Sequence, residues 1–336
     1  MARDRLTSGK PQRLHHYGPH NPFSWRRWLR SLWAFSRPHT IVGTTLSLGA
    51  LGVMAWVLTP DTARVLVNPL TLFGAMVAAL VPSLCANVYI VGLNQLTDIA
   101  IDRINKPHLP LASGAFSVSM GRWIVAALGG AALVLAALQG PILWLTVALS
   151  MAIGTVYSVP PLRLKRFPFW AALCIFGVRG VIVNLGFFTH FRQVLSPESI
   201  PWQAIPPEVW ALTVFVVVFS IAIAIFKDIP DLEGDRRFQV RTLTVRLGAR
   251  YVFRLSLGVL TLCYGLMLGL TLLGLLPSVQ PVFLVVTHGG LLGLLGWMSR
   301  RVNLQEKSQI THFYQFIWRL FFLEYVLFPL ACMVGP

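Results

Sequence analysis

Six of the chain's 12 acidic residues fall in two short segments: Asp98 and Asp102 in NQLTDIAIDR (94–103), and Asp228, Asp231, Glu233 and Asp235 in KDIPDLEGDR (227–236). Aligned, the two read as one pattern, xxxxDxxxDR, in which Asp98 matches Asp231, Asp102 matches Asp235 and Arg103 matches Arg236. A repeat of this kind, four helices apart, suggests two related halves. Asn94, Asp98 and Asp102 are spaced by four, so on a helix they would stack along one face as a column of oxygens. In the second segment Pro230 and Gly234 interrupt any such helix. Carboxylates crowded at a membrane boundary repel one another and resist losing water, so they call for a cation. Mg²⁺ is held by one or two carboxylates per ion while substrate phosphates complete its shell, and two facing Asp columns would hold two ions with a diphosphate between them. The plainer alternative is a pair of solvated acidic loops; duplication in a chain otherwise short of acids argues against it.

Basic residues flank the same segments. Arg103 and Lys106 follow the first, Lys227, Arg236 and Arg237 accompany the second, and Arg163, Lys165 and Arg166 occupy YSVPPLRLKRF (157–167). Arg chelates phosphate oxygens bidentately and Lys supplies a point charge, which makes Arg103, Lys106, Arg163, Lys165, Lys227 and Arg236 candidates for diphosphate binding. Membrane topology by itself also accounts for the side on which they lie.

These residues must be positioned by a membrane-embedded scaffold. Of 336 residues, 55% are hydrophobic and only 12% charged, with a mean hydropathy of +0.67, so a water-soluble enzyme is excluded. Uncharged runs of about 20 residues cross a bilayer as helix. The uncharged stretches 41–59, 65–97, 123–162, 209–226 and 255–299, with 169–189 interrupted only by Arg179 and 316–333 by Arg319 and Glu324, predict an all-α bundle of nine spans at 41–59, 69–93, 123–139, 141–157, 169–189, 209–226, 252–276, 281–299 and 316–333. With these spans, 23 of the 28 Lys and Arg residues fall on the side of the N-terminus, two (Arg64 and Arg192) on the other, and Arg179, Arg254 and Arg319 inside spans. That asymmetry places the N-terminus and the Asp segments on the cytoplasmic side or its equivalent. The net charge of +16 is then explained by anionic lipid or an anionic substrate, with no nucleic acid required. Residues 1–22 read as a disordered basic tail, 23–336 as the membrane domain, and 23–36, FSWRRWLRSLWAFS, as an interfacial helix on the headgroups. The four cysteines have no metal-ligand spacing and read as packing. The eight histidines form no HxxxH pair, which removes the di-iron membrane oxidases. A cation-coupled transporter would carry its ionisable groups near the midplane; here they sit at span ends among Arg and Lys.

The segments NQLTDIAIDRINKPHLPLASG (94–114), YSVPPLRLKRF (157–167), VRGVIVNLGFFTHF (178–191), AIFKDIPDLEGDR (224–236) and FYQFIWRLFFLEY (313–325) resemble the UbiA-type intramembrane aromatic prenyltransferases. That family's signature is N-x-x-x-D-x-x-x-D followed by a second Asp-rich segment. Within it, the chain from about Trp33 onward looks most like the branch of cyanobacteria and plastids that prenylates homogentisate. The resemblance implies a nine-helix bundle opening to the cytoplasmic or stromal face and laterally to lipid, in a cyanobacterial or plastid membrane. Asn94, Asp98, Asp102, Asp228, Asp231 and Asp235 would coordinate two Mg²⁺ on phytyl diphosphate, with Asp98, Asp102, Asp231 and Asp235 as the catalytic acids. Homogentisate would be the acceptor, and 2-methyl-6-phytylbenzoquinol, carbon dioxide and diphosphate the products. A relative with another chain or acceptor, such as homogentisate solanesyltransferase or chlorophyll synthase, is the alternative, since both choices depend on pocket shape.

Contacts to the acceptor or prenyl chain follow from the same picture. Tyr89 and Tyr157 are candidates to face the prenyl cation, although aromatics in spans more often pack. Arg179, charged within a span, needs an anionic partner: Glu324 of the last span, the preferred reading, or the acceptor carboxylate. Arg37, opening the first span, is a second candidate for that carboxylate or an interfacial anchor. Asn184 lies on the span that carries Arg179.

Overall fold

A computed structural model describes residues 24–59, 68–196, 205–230, 232 and 242–335. The expected tail, 1–22, lies outside them. The described elements are all helical: α1 (Trp25–Phe35), α2 (Pro38–Val57), α3 (Pro69–Thr97), α4 (Ile99–Asn105), α5 (Pro110–Ser113), α6 (Val118–Leu138), α7 (Pro141–Ser158), α8 (Phe169–Leu195), α9 (Pro207–Phe226), α10 (Leu243–Leu247), α11 (Ala249–Leu272), α12 (Pro281–Ser299) and α13 (Lys307–Met333). Among the described residues, nine helices (α2, α3, α6 to α9, and α11 to α13) are long and apolar enough to cross a bilayer, one for each predicted span, and the chain is an integral membrane protein.

Span ends are set by backbone chemistry more than by the nearest charge. Proline occupies the first helical position of α2, α3, α7, α9 and α12, where its missing N–H is no loss. Side chains cap other termini: Asn68 Oδ1 accepts from the Leu70 N–H at 2.9 Å and Ser117 Oγ from the Met120 N–H at 3.1 Å. This is why α2 starts at Pro38 instead of 41, and why α13 runs back to Lys307, where a long cationic side chain reaches the interface without ending the helix.

Without a hydrophobic force between helices in lipid, close backbone approach does the packing. Gly92 of α3 is such a point: a Cβ there would meet Phe35 Cζ and Val125 Cγ2, each at 2.7 Å. A Cβ on Gly154 of α7 would lie 2.8 Å from Ile90 Cγ1. Gly92→Val is therefore expected to cost about 1–3 kcal/mol and lower the melting temperature in detergent. Gly130→Val, whose Cβ would meet nothing within 4 Å, is the matched control and should melt near wild type; equal melting of the two would reject the packing argument.

Successive spans alternate in direction. The last residues of α3, α7 and α9 and the first of α2, α6 and α8 therefore gather at one end of the bundle, the end of Asp98 and Asp228. In the middle of α8 the residues Gly177–Ile182 form a π-helical turn. Gly180 there packs so closely on Val217 of α9 that a side chain would collide with it.

Candidate active site

Helix α3 stops at Thr97. Asp98 leaves the helical conformation (φ −119°, ψ 14°) and α4 restarts at Ile99, so the expected unbroken column of Asn94, Asp98 and Asp102 is corrected to one with a break at its middle member. Thr97 Oγ1 closes the helix end by donating to Asn94 O at 2.9 Å. The break accompanies a tertiary contact from the loop after α7. Arg163 Nη2 donates to Asp98 Oδ1 at 2.8 Å and Lys165 Nζ to Asp98 Oδ2 at 2.6 Å, while the Lys165 ammonium also reaches Thr97 Oγ1 at 3.0 Å. Burial lowers the Lys165 pKa from its ordinary value, against the pull of Asp98.

Asp102 is in the opposite situation. It is 6% exposed, and its Oδ2 is enclosed with no hydrogen-bond partner among the described residues. Burial raises its pKa above the usual carboxylate value; Lys106, Arg37 and Lys165 oppose the rise and Asp98 adds to it. A buried polar atom left unsatisfied costs about 1–3 kcal/mol, more when charged. A hard cation beside Asp98 and Asp102 would relieve that cost and draw the pKa back down, so these residues fit Mg²⁺. Asn94 adds an amide, its Nδ2 3.5 Å from Ser158 Oγ.

The second segment is described only in part. Lys227 caps the end of α9 and Asp228 follows it; Asp231, Asp235 and Arg236 lie outside the described residues. Among the described residues no three His, Cys, Asp or Glu side chains form a metal cluster. Tyr157 lies at the end of α7 and lines the cavity described below. Arg103 and Lys106 are exposed on and after α4.

A cavity of about 290 Å³ leads from this end into the bundle, with Arg37, Asn94, Tyr157 and Ser158 near its mouth. Arg37 caps α2 in the left-handed conformation, φ 52°. The walls include residues that charge-based reading missed: Thr40, Thr44 and Ser47 of α2 and Thr146 and Ser150 of α7. Their i, i+4, i+7 spacing, hydroxyls on one face of an apolar helix, is the signal that finds them.

Deeper in, the cavity is lined by Arg179 of the π-turn and by Phe321 and Tyr325 of α13. The Arg179 guanidinium stands 4.9 Å over the Trp318 ring and 5.6 Å over Phe321. The preferred pairing of Arg179 with Glu324 is corrected: Glu324 Oε2 is 3.1 Å from His288 Nε2 of α12, both side chains fully buried. Trp318, Phe321 and Tyr325, at i, i+3 and i+7, share one face of α13, and Glu324 is rotated away toward α12. Of the two tyrosine candidates only Tyr157 lines the cavity. Tyr89 of α3 turns instead to α6 and α7, its hydroxyl 2.8 Å from Thr155 Oγ1 and its ring against Gly129. Asn184 is fully buried and accepts the Tyr325 O–H at 2.9 Å, one layer behind the wall.

A cavity that enters the bundle at the Asp98 end and runs into the apolar interior suits an anionic head group with an apolar tail. The sequence matches the UbiA prenyltransferase family over residues 48–320, and the chain belongs to that family. It is 52% identical over 305 residues to the homogentisate phytyltransferase of Synechocystis, covering 90% of this chain and 96% of the relative. To the homogentisate geranylgeranyltransferase of Hordeum vulgare it is 39% identical, with 90% and 72% covered. The fold is similar to that of a UbiA homolog from Archaeoglobus fulgidus bound to GPP and Mg²⁺, with a TM-score of 0.57 at 17% identity over 90% of this chain and 99% of that one.

Proposed function

We propose that this chain transfers the phytyl group of phytyl diphosphate to homogentisate, with loss of diphosphate and carbon dioxide, to give 2-methyl-6-phytylbenzoquinol. The observation that carries the reading is a homogentisate phytyltransferase 52% identical over nearly its whole length. A cavity running from the Asp98 and Asp102 end into the apolar interior supports it. Asn94, Asp98 and Asp102, with Asp228, Asp231 and Asp235, would hold two Mg²⁺, a cofactor in keeping with the Mg²⁺ bound by the Archaeoglobus homolog. When bound, Mg²⁺ supplies charge stabilisation to the departing diphosphate.

The protein's own residues do the rest. Arg163 and Lys165, held on Asp98 in the free protein, are placed to turn to diphosphate oxygens once that carboxylate is engaged, and Arg103, Lys106, Lys227 and Arg236 add positive field at the same mouth. The apolar part of the cavity takes the isoprenoid and keeps water from the allylic cation, to which Tyr157 presents its ring. Protons balance overall: the ring releases one as the new C–C bond forms, and the side-chain CH₂ takes one up as carbon dioxide leaves. Residues 23–336 form the membrane domain behind a basic tail, and Arg37 steadies anionic groups at the mouth. The excess of Lys and Arg at the Asp98 end supports placing it on the cytoplasmic or stromal side.

A different prenyl chain is the second reading, favoured by the 39% identical geranylgeranyl-transferring relative. Protein reconstituted in vesicles with homogentisate and labelled phytyl, geranylgeranyl or solanesyl diphosphate separates the two; transfer is expected to be fastest from phytyl diphosphate. EDTA should reduce transfer to background and excess Mg²⁺ restore it. Turnover indifferent to the chelator would reject the metal assignment, and no transfer from any donor would reject the activity.

A further inference from the structure

We infer that Arg179 anchors the carboxylate of the aromatic acceptor deep in the cavity, facing a wall of hydroxyl groups that receives the acceptor's phenols. The inference rests on the acceptor assigned above. Arg179 stays charged at any physiological pH, yet no side chain of the described bundle neutralises it. The acids of the spanning helices are committed elsewhere: Glu324 to His288, and Glu208 to the Ser278 N–H at 2.8 Å. Trp318 and Phe321 hold the guanidinium by its face, which fixes its direction without neutralising it. The residue lines the cavity. A site built for a visiting anion has these properties.

Different residues hold this anion and the diphosphate. Arg179 lies about 15 Å along α8 from its start, whereas Lys165 and Asp98 mark the mouth. π-Helical turns occur preferentially at functional sites, and the one in α8 carries Arg179 at its centre.

The opposite walls select the rest of the ligand. Ser47 Oγ donates to Thr44 O at 3.1 Å, Ser83 Oγ to Ala79 O at 2.7 Å and Ser150 Oγ to Thr146 O at 2.7 Å. Each hydroxyl proton is thus spent on its own helix, and what these three cavity-lining residues offer inward is lone pairs, which accept hydrogen bonds. A cation on one wall and acceptors on the others complement a molecule with one carboxylate and phenolic O–H donors. An isoprenoid tail has neither.

The test compares homogentisate with methylhydroquinone, the same ring without the carboxylate. In the wild-type protein, without donor or Mg²⁺, homogentisate should raise the melting temperature, and methylhydroquinone should bind roughly 30-fold or more weakly; equal affinities would overturn the inference. In Arg179→Met the KM for homogentisate should rise by a similar factor while the KM for phytyl diphosphate stays put, and discrimination between the two acceptors should vanish. Arg179→Lys should recover part of it. A folded Arg179→Met protein with an unchanged homogentisate KM would overturn the anchor, and if that variant fails to fold the wild-type binding comparison decides alone. Should the wild type bind homogentisate through its carboxylate yet transfer no phytyl, the proposed activity fails and the anchor stands.

Discussion

Asp102→Ala should lose activity by roughly 10²- to 10³-fold, the scale for one preorganised electrostatic contact, while melting no lower than wild type. The two halves of that result have one cause. Asp102 is buried with an oxygen that no donor among the described residues satisfies, so in the free protein it is a cost, and its removal relieves the fold. Only bound cation and diphosphate repay that cost. Asp98→Ala should behave differently despite similar chemistry. It too loses turnover, but it leaves Arg163 and Lys165 facing each other without the carboxylate both now hold, and its melting temperature should fall. Phytyl transfer and thermal unfolding in detergent, each with and without Mg²⁺ and diphosphate, separate the cases: ligand should stabilise the wild type and leave Asp102→Ala unmoved. An active Asp102→Ala, or one whose activity falls only in step with its stability, would remove Asp102 from the site.

How far such a site is legible in sequence depends on the range of the forces that build it. The nine spans are written in apolar runs with few charges, five of them with proline-marked starts, because the bilayer demands length and apolarity locally. The break at Asp98 is not written there. DIAIDR contains no Gly or Pro, and the break goes with contacts to Arg163 and Lys165, 65 and 67 residues away in the chain. Counting charges brings Arg179 and Glu324 together as the complementary ions of two spans. What separates them is rotation: a π-turn wedged against Val217 by Gly180, and a helix face on α13 that turns Glu324 to His288. The hydroxyl stripes of α2 and α7 are visible in the sequence as spacing. Ser and Thr in spanning helices, however, commonly satisfy themselves on the carbonyl four residues back, as Thr146 does on Ile142 at 2.8 Å, so spacing without a cavity does not mark them as binding groups. Tyr89 shows the converse, a polar aromatic of a span whose hydroxyl is partnered by Thr155 of another helix, away from the cavity lining.

Glu324→Leu should destabilise the protein by about 3–5 kcal/mol, the cost of stripping one partner from a buried ionic contact, without weakening acceptor binding in the fraction that folds. His288 Nδ1 lies 3.1 Å from the Leu284 carbonyl, which can only accept, so Nδ1 carries a proton. The other ring nitrogen, 3.3 Å from Glu324 Oε1 and 3.1 Å from Oε2, shares a single further proton with the carboxyl group, and whichever side holds it the pair is neutral overall. Removing Glu324 strands that nitrogen among the rings of Phe215 and Tyr264, 6.2 and 5.8 Å from the imidazole. Replacing both residues, His288→Leu with Glu324→Leu, removes the stranded group as well and should recover most of the loss, since a buried ion pair exchanged for apolar side chains is often close to neutral. Thermal unfolding of the two singles and the double, with the homogentisate KM of each, measures this directly. A Glu324→Leu protein that melts like wild type but raises the homogentisate KM as Arg179→Met does would mean that Glu324 serves Arg179 after all.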